Sequence, residues 1–205
     1  MPASKRAWIA LRAAASHCRE CPLGARATQT VWGEGPVPAR LMLVGEQPGD
    51  REDIDGHPFV GPAGKLLDRA IASLGWERET LYVTNAVKHF SYELRGKRRI
   101  HKTPAQLEIL ACNHWLQSEI DSVAPAAIVA LGRVAASALL RRPVKVMSER
   151  GHWLRRDDGI DVLITLHPSA LLRGDPALRD AAYREWLDDL SIASPRIAKA
   201  KADAQ

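Results

Sequence analysis

The chain has no run of about 18 or more apolar residues, which excludes a membrane-spanning helix. Its first residues, Met1-Pro2-Ala3-Ser4-Lys5-Arg6, are polar, and charge returns at Arg12, leaving too short an apolar stretch for a secretory signal. A cytoplasmic location is expected. Cysteine is scarce. Cys18, Cys21 and Cys112 make three, an odd number that does not suit a disulfide framework and points first to a metal or cluster site. No internal repeat divides the 205 residues, a length that suits one substantial α/β domain with a single core.

What is present is ordinary in bulk and uneven in detail. A hydrophobic fraction of 46% with 26% charged residues is that of a water-soluble globular chain. The net charge of +5 is compatible with a polyanionic partner without identifying one. Its placement says more: from Arg95 to Lys102, five cations and a histidine fall within eight residues. Such a run reads either as a solvated loop or as one that contacts phosphates.

Short apolar runs alternate with helical patterns. Strands are expected at 41–45, 81–87, 126–132 and 162–166, and helices at 5–16, 62–74, from Thr103-Pro104 to about 123, after Gly132 to 140, and at 176–190. This rhythm predicts a single three-layer α/β domain over 1–193, with a central, mainly parallel four-stranded sheet, and a flexible tail over 194–205. In such sheets the ligand crevice lies beyond the carboxyl ends of the strands. Each strand end here runs into a loaded segment: Glu46, Asn85 with His89, Gly132, and His167.

The densest of these is Gly45-Glu46-Gln47-Pro48-Gly49-Asp50, followed by Gly56-His57-Pro58-Phe59-Val60-Gly61-Pro62-Ala63-Gly64-Lys65. A P-loop fails, because Leu66 follows Lys65 and position 59 is not glycine. With Thr84-Asn85-Ala86-Val87-Lys88 and His167-Pro168-Ser169, in that order, the segment resembles the motifs of the family 4 uracil-DNA glycosylases, over Cys18 to about Arg173. The resemblance implies the uracil-DNA glycosylase fold and uracil-containing DNA as partner, single strands preferred, with the base flipped out of the stack. It further implies that Gln47, Phe59, Asn85 and His167 bind uracil: Phe59 stacks on the base, Asn85 reads its Watson–Crick edge, and His167 bonds a carbonyl as charge develops. Ser169, Leu171 and Arg173 are expected on the DNA, with Ala170-Leu171-Leu172-Arg173 as a wedge.

Members of that family hold a [4Fe–4S] cluster on four cysteines, one more than this chain has. At the position of the missing ligand stands His89, and imidazole can replace thiolate on one iron. Cys18, Cys21, His89 and Cys112 are the expected ligands; His17 and His114 are alternatives for the fourth, and a three-cysteine, one-histidine zinc site is the alternative for the metal.

Between Lys88 and Pro104 the chain carries a long insertion ending Lys97-Arg98-Arg99-Ile100-His101-Lys102. It resembles the UdgX branch, in which a Lys-Arg-Arg-Ile-His loop supplies a histidine that attacks the sugar; Gln47 and His89 agree with that branch. The resemblance makes His101 the nucleophile, with Lys97, Arg98, Arg99 and Lys102 on DNA phosphates. Glu46 is expected to take a proton from His101 or orient it, and Asp50 to place a water or add charge. The expected activity is excision of uracil followed by a covalent bond from His101 to C1′ of the abasic sugar. Two readings stay open beside it: a hydrolase that turns over, and a non-catalytic iron–sulfur sensor of nucleic acid. A monomer without protein partners is expected.

Overall fold

The structure, a computed structural model, describes residues 5–197. In chain order it contains α1 (Lys5–Ala15), α2 (Pro22–Arg26), β1 (Leu41–Gly45), α3 (Asp50–Asp55), α4 (Pro62–Ser73), β2 (Tyr82–Asn85), β3 (Tyr92–Arg95), β4 (Arg98–His101), α5 (Gln106–Val123), β5 (Ala127–Leu131), α6 (Arg133–Leu140), α7 (Val146–Glu149), β6 (Trp153–Arg155), β7 (Asp161–Thr165), α8 (Pro168–Arg173) and α9 (Arg179–Ser191). The main sheet runs β2-β1-β5-β7-β6, parallel except for β6, which pairs antiparallel with β7 at the edge. The expected four parallel strands are all there. Trp153–Arg155 is a fifth, and three residues are too few to show a strand period.

Why the central strands read as unbroken apolar runs follows from the layers. Leu41, Leu43, Val83, Val129 and Leu163 face one core with Leu67 and Ile71 of α4, Leu171 of α8 and Trp186 and Leu190 of α9. Their neighbours Met42, Val44, Tyr82, Ile128 and Ile164 face the other, with Leu116 and Ile120 of α5 and Ala135 and Leu139 of α6. Side chains alternate faces along a strand, so a sheet covered on both sides must be apolar at every position. A third cluster gathers Ala15, Leu23, Trp32, Val87, Cys112 and Trp115 with Cys18 and Cys21.

Three boundaries differ from expectation for local reasons. Pro104 stays outside α5, which starts at Gln106 because the Glu108 carboxylate accepts from the Ala105 N–H at 2.7 Å. The basic insertion is not an open loop but a two-stranded hairpin, β3 and β4, turning at Gly96-Lys97 and separate from the main sheet. Of the expected tail, 194–197 are helical, with Ile197 packed on the first core and Arg196 bonded to Asp161 at 2.8 Å; 198–205 lie outside the described residues.

Candidate active site

The carboxyl ends of the parallel strands β1, β2, β5 and β7 share one edge of the sheet, where the crevice is expected, and glycines let the segments around it close up. A methyl on Gly45 would overlap the Asn85 carboxamide and stand 2.5 Å from the Phe59 ring tip, so only glycine lets those two side chains meet. A methyl on Gly64 would overlap the Phe59 carbonyl. Phe59 itself is left-handed, φ 59°, an unusual state for an aromatic residue. Its surroundings hold it there: Glu52, buried, accepts from the Gly49 N–H at 3.1 Å and from the Gly61 N–H at 2.9 Å, tying together the two loops that flank Phe59.

Asn85 ends β2 with its side chain 2% exposed, and its Oδ1 is buried without a hydrogen-bond partner. An unsatisfied buried oxygen is costly and is tolerated where a ligand satisfies it. Across the crevice the rings of Phe59 and His167 lie 6.2 Å apart, tilted by 31°. His167 caps α8. Its Nδ1 accepts from the Ser169 N–H at 3.2 Å and stands 2.8 Å from the Ser169 hydroxyl, which in turn accepts from Arg173 at 3.0 Å. Burial, then the charge of Arg173, then His101 push the His167 pKa down to about 4. The ring is therefore neutral near pH 7 with its proton on Nε2, a donor rather than a cation.

His101 ends β4 opposite Tyr92, with its Nε2 3.6 Å from Glu46 Oε1. That oxygen is buried with no hydrogen-bond partner. Burial raises the Glu46 pKa against the opposing charges of Arg133 and Arg173. The same desolvation, helped by Arg173, lowers that of His101. Burial thus disfavours the charged form of both partners in this contact.

The structure assigns other tasks to several residues expected on the ligand. The Gln47 carboxamide does not face the crevice: it donates to the Ser91 and Lys102 carbonyls at 3.1 and 3.0 Å and accepts from the Ser91 N–H at 2.9 Å, clamping both feet of the hairpin. Arg99 is no free phosphate contact. It is bonded to Asp50 and Asp53, both at 2.6 Å, and lies over Phe90 and Tyr92 at 5.5 and 5.3 Å. Asp50 thereby anchors the hairpin through one carboxylate oxygen, Oδ1, while its side chain stays half-exposed. Leu171 is 4% exposed and packs in the core, because neighbouring residues on a helix point about 100° apart; Leu172, 38% exposed, is the leucine of the expected wedge segment that faces outward. Lys97, Arg98 and Lys102 are exposed on the hairpin, and Ser169 and Arg173 border the crevice. Asp53, Glu52 and Arg133 went unassigned in the sequence; the run of carboxylates after Gly49 was the signal for the first two. Replacing Gln47 with alanine is expected to cost about 1–3 kcal/mol for the three lost bonds. It should also speed amide exchange at Ser91, measured against unchanged exchange in β1.

Cys18, Cys21 and Cys112 share the third cluster with Trp32 and Trp115. Cys18 Sγ accepts from the Trp115 indole at 3.3 Å and Cys112 Sγ from the Lys88 N–H at 3.2 Å. Burial pushes the Cys112 thiol up to about 12. His89 is 1% exposed; its Nε2 pairs with Thr30 at 2.9 Å, while Nδ1 is buried without a partner. The Trp32 indole N–H is a second such atom. His114 instead pairs with Glu20 at 2.6 Å. Among the described residues no three His, Cys, Asp or Glu side chains form a ready group for a metal ion.

Residues 32–191 match the family model of the uracil DNA glycosylase superfamily. The chain is similar to the type-4 uracil-DNA glycosylase of Thermotoga maritima, 39% identical over 157 residues that cover 76% of this chain and 78% of that protein. With the type-4 uracil-DNA glycosylase of Pyrobaculum aerophilum it shares 38% identity over 183 residues, 86% and 87% of the two chains. A type-5 uracil-DNA glycosylase of the same organism is 30% identical over 175 residues, 73% and 72% of the two chains.

Proposed function

This chain belongs to the uracil-DNA glycosylase superfamily, and from that membership we propose that it excises uracil from DNA and then binds the abasic sugar covalently through His101. The observation that carries the second step is the 3.6 Å approach of His101 Nε2 to an unpartnered, buried Glu46 oxygen. A flipped uracil stacks on Phe59. The Asn85 carboxamide meets its N3–H and O4, a pattern that cytosine inverts. The C1′–N1 bond breaks with its electron pair leaving on the base, and the neutral His167 donates from Nε2 to a uracil carbonyl as that charge grows. One imidazole nitrogen of His101 then gives its lone pair to the oxocarbenium carbon. The proton on the other nitrogen passes to Glu46, so the product is a neutral N-linked imidazole and a carboxylic acid. Lys97, Arg98, Lys102 and Arg173 supply charge for phosphates.

The four residues Cys18, Cys21, His89 and Cys112 would hold a [4Fe–4S] cluster. The partnerless His89 Nδ1 supports this as a ligand atom, and the Trp32 N–H as a donor with no acceptor of its own. The cluster's contribution would be structural: α1 and α2 would be tied to α5 and to the turn after β2.

The test is denaturing electrophoresis of the protein mixed with a uracil oligonucleotide, beside its thymine twin. A uracil-dependent band of protein plus DNA is expected; free uracil released with no such band would leave a hydrolytic glycosylase. The pH profile follows from the site. The nucleophile must be unprotonated, and its pKa lies below the ordinary 6.5. Adduct formation should therefore stay level from pH 8 down past about 6.5 and fall only below it, as His101 takes up a proton. A half-point above 6.5 would contradict the buried imidazole.

A further inference from the structure

Behind the crevice lies a fully buried ion pair with no task in the chemistry above. Lys88 and Glu119 are each 0% exposed and in direct contact. Every polar atom of the pair is used. Glu119 accepts from the Gly33 N–H at 2.8 Å, the Tyr82 hydroxyl at 2.9 Å and the Thr84 hydroxyl at 2.9 Å. The Lys88 ammonium donates to Glu119, to Thr84 at 2.8 Å and to the backbone carbonyl of Asn85 at 2.7 Å, and it lies 5.4 Å from the Trp32 ring centre. Well-packed apolar residues commonly replace such a pair without loss of stability, so stability alone does not explain it.

Its geometry does. The Asn85 Oδ1 has no partner, so that side chain is aimed by its backbone and by the packing against Gly45. The backbone leaves β2 there: the Ala86 and Val87 N–H groups turn to the Gly45 and Glu46 carbonyls at 2.8 and 3.0 Å. The Asn85 carbonyl swings inward, and Lys88 receives it. We infer that Lys88 and Glu119 are positioning residues for base selection: the ammonium, held in place by the carboxylate, locks the peptide that aims the Asn85 amide. The inference rests on the proposed reading of uracil by Asn85.

Lys88→Met and Glu119→Gln each leave the other charge buried alone, and each should lower Tm by about 10 °C. The double variant Lys88→Met/Glu119→Gln is neutral and should recover most of that loss. With the fold restored, its uracil excision should still be about 10-fold or more below the parent. Added to Asn85→Ala, the same double change should have less than about a 2-fold further effect, since both act through one amide. Excision at the parental rate in the double variant, or a loss that multiplies in full onto Asn85→Ala, overturns the inference. A crystal structure of the double variant reads the same point without turnover: the Asn85 carboxamide should leave its place against Gly45, and an unmoved amide overturns the inference too. If the parent protein releases no uracil, the proposed activity fails, while the crystallographic comparison still decides the positioning role.

Discussion

His101→Ser is expected to abolish the denaturation-resistant adduct with uracil DNA and to turn the protein into a glycosylase that turns over. The serine side chain is shorter and lacks a basic nitrogen, so position 101 no longer supplies a nucleophile to the sugar carbon once uracil has left. The space admits water, and the unpartnered Glu46 oxygen can take its proton, completing hydrolysis. Excision itself should persist, because Phe59, Asn85 and His167 lie on other elements. The hairpin should also persist, since Gln47 and Arg99 hold it and His101 does not. Mass spectrometry under denaturing conditions separates the outcomes: a protein–DNA mass in the serine variant would remove His101 as the nucleophile.

Asn85→Ala is expected to lower uracil excision by about 10²–10³-fold, the usual effect of deleting one pre-aimed polar group from a reacting site. Its stability should move the other way from most buried substitutions. Asn85 Oδ1 is unsatisfied, so alanine removes a group that the folded state holds at a cost, against a small loss of packing. Tm is expected unchanged or slightly raised. Single-turnover kinetics with a melting curve on the same preparation provide the check. A large drop in Tm would mean that the residue serves the fold and not the base, and undiminished selectivity for uracil would remove it from recognition.

Much of this architecture was legible in the chain. Strands covered on both faces must be apolar throughout, so β1, β2, β5 and β7 appeared within a residue or two of their places, and the loaded segments at their ends converged because parallel strands share a carboxyl edge. Covalent identity also settled the chemical types available: a carboxylate after Gly45, an amide at 85, imidazoles at 89, 101 and 167. Aim was another matter. Whether the Gln47 amide faces a base or a backbone depends on Ser91 and Lys102, 44 and 55 positions away, and Arg99 finds Asp50 and Asp53 across 49 and 46. Leu171 and Leu172 are alike in composition and opposite in fate, because helix phase and the neighbouring core decide which is buried. Local patterns record which face a residue takes along its own element; which partner awaits it there is set only when distant segments pack and every buried polar atom must find a match.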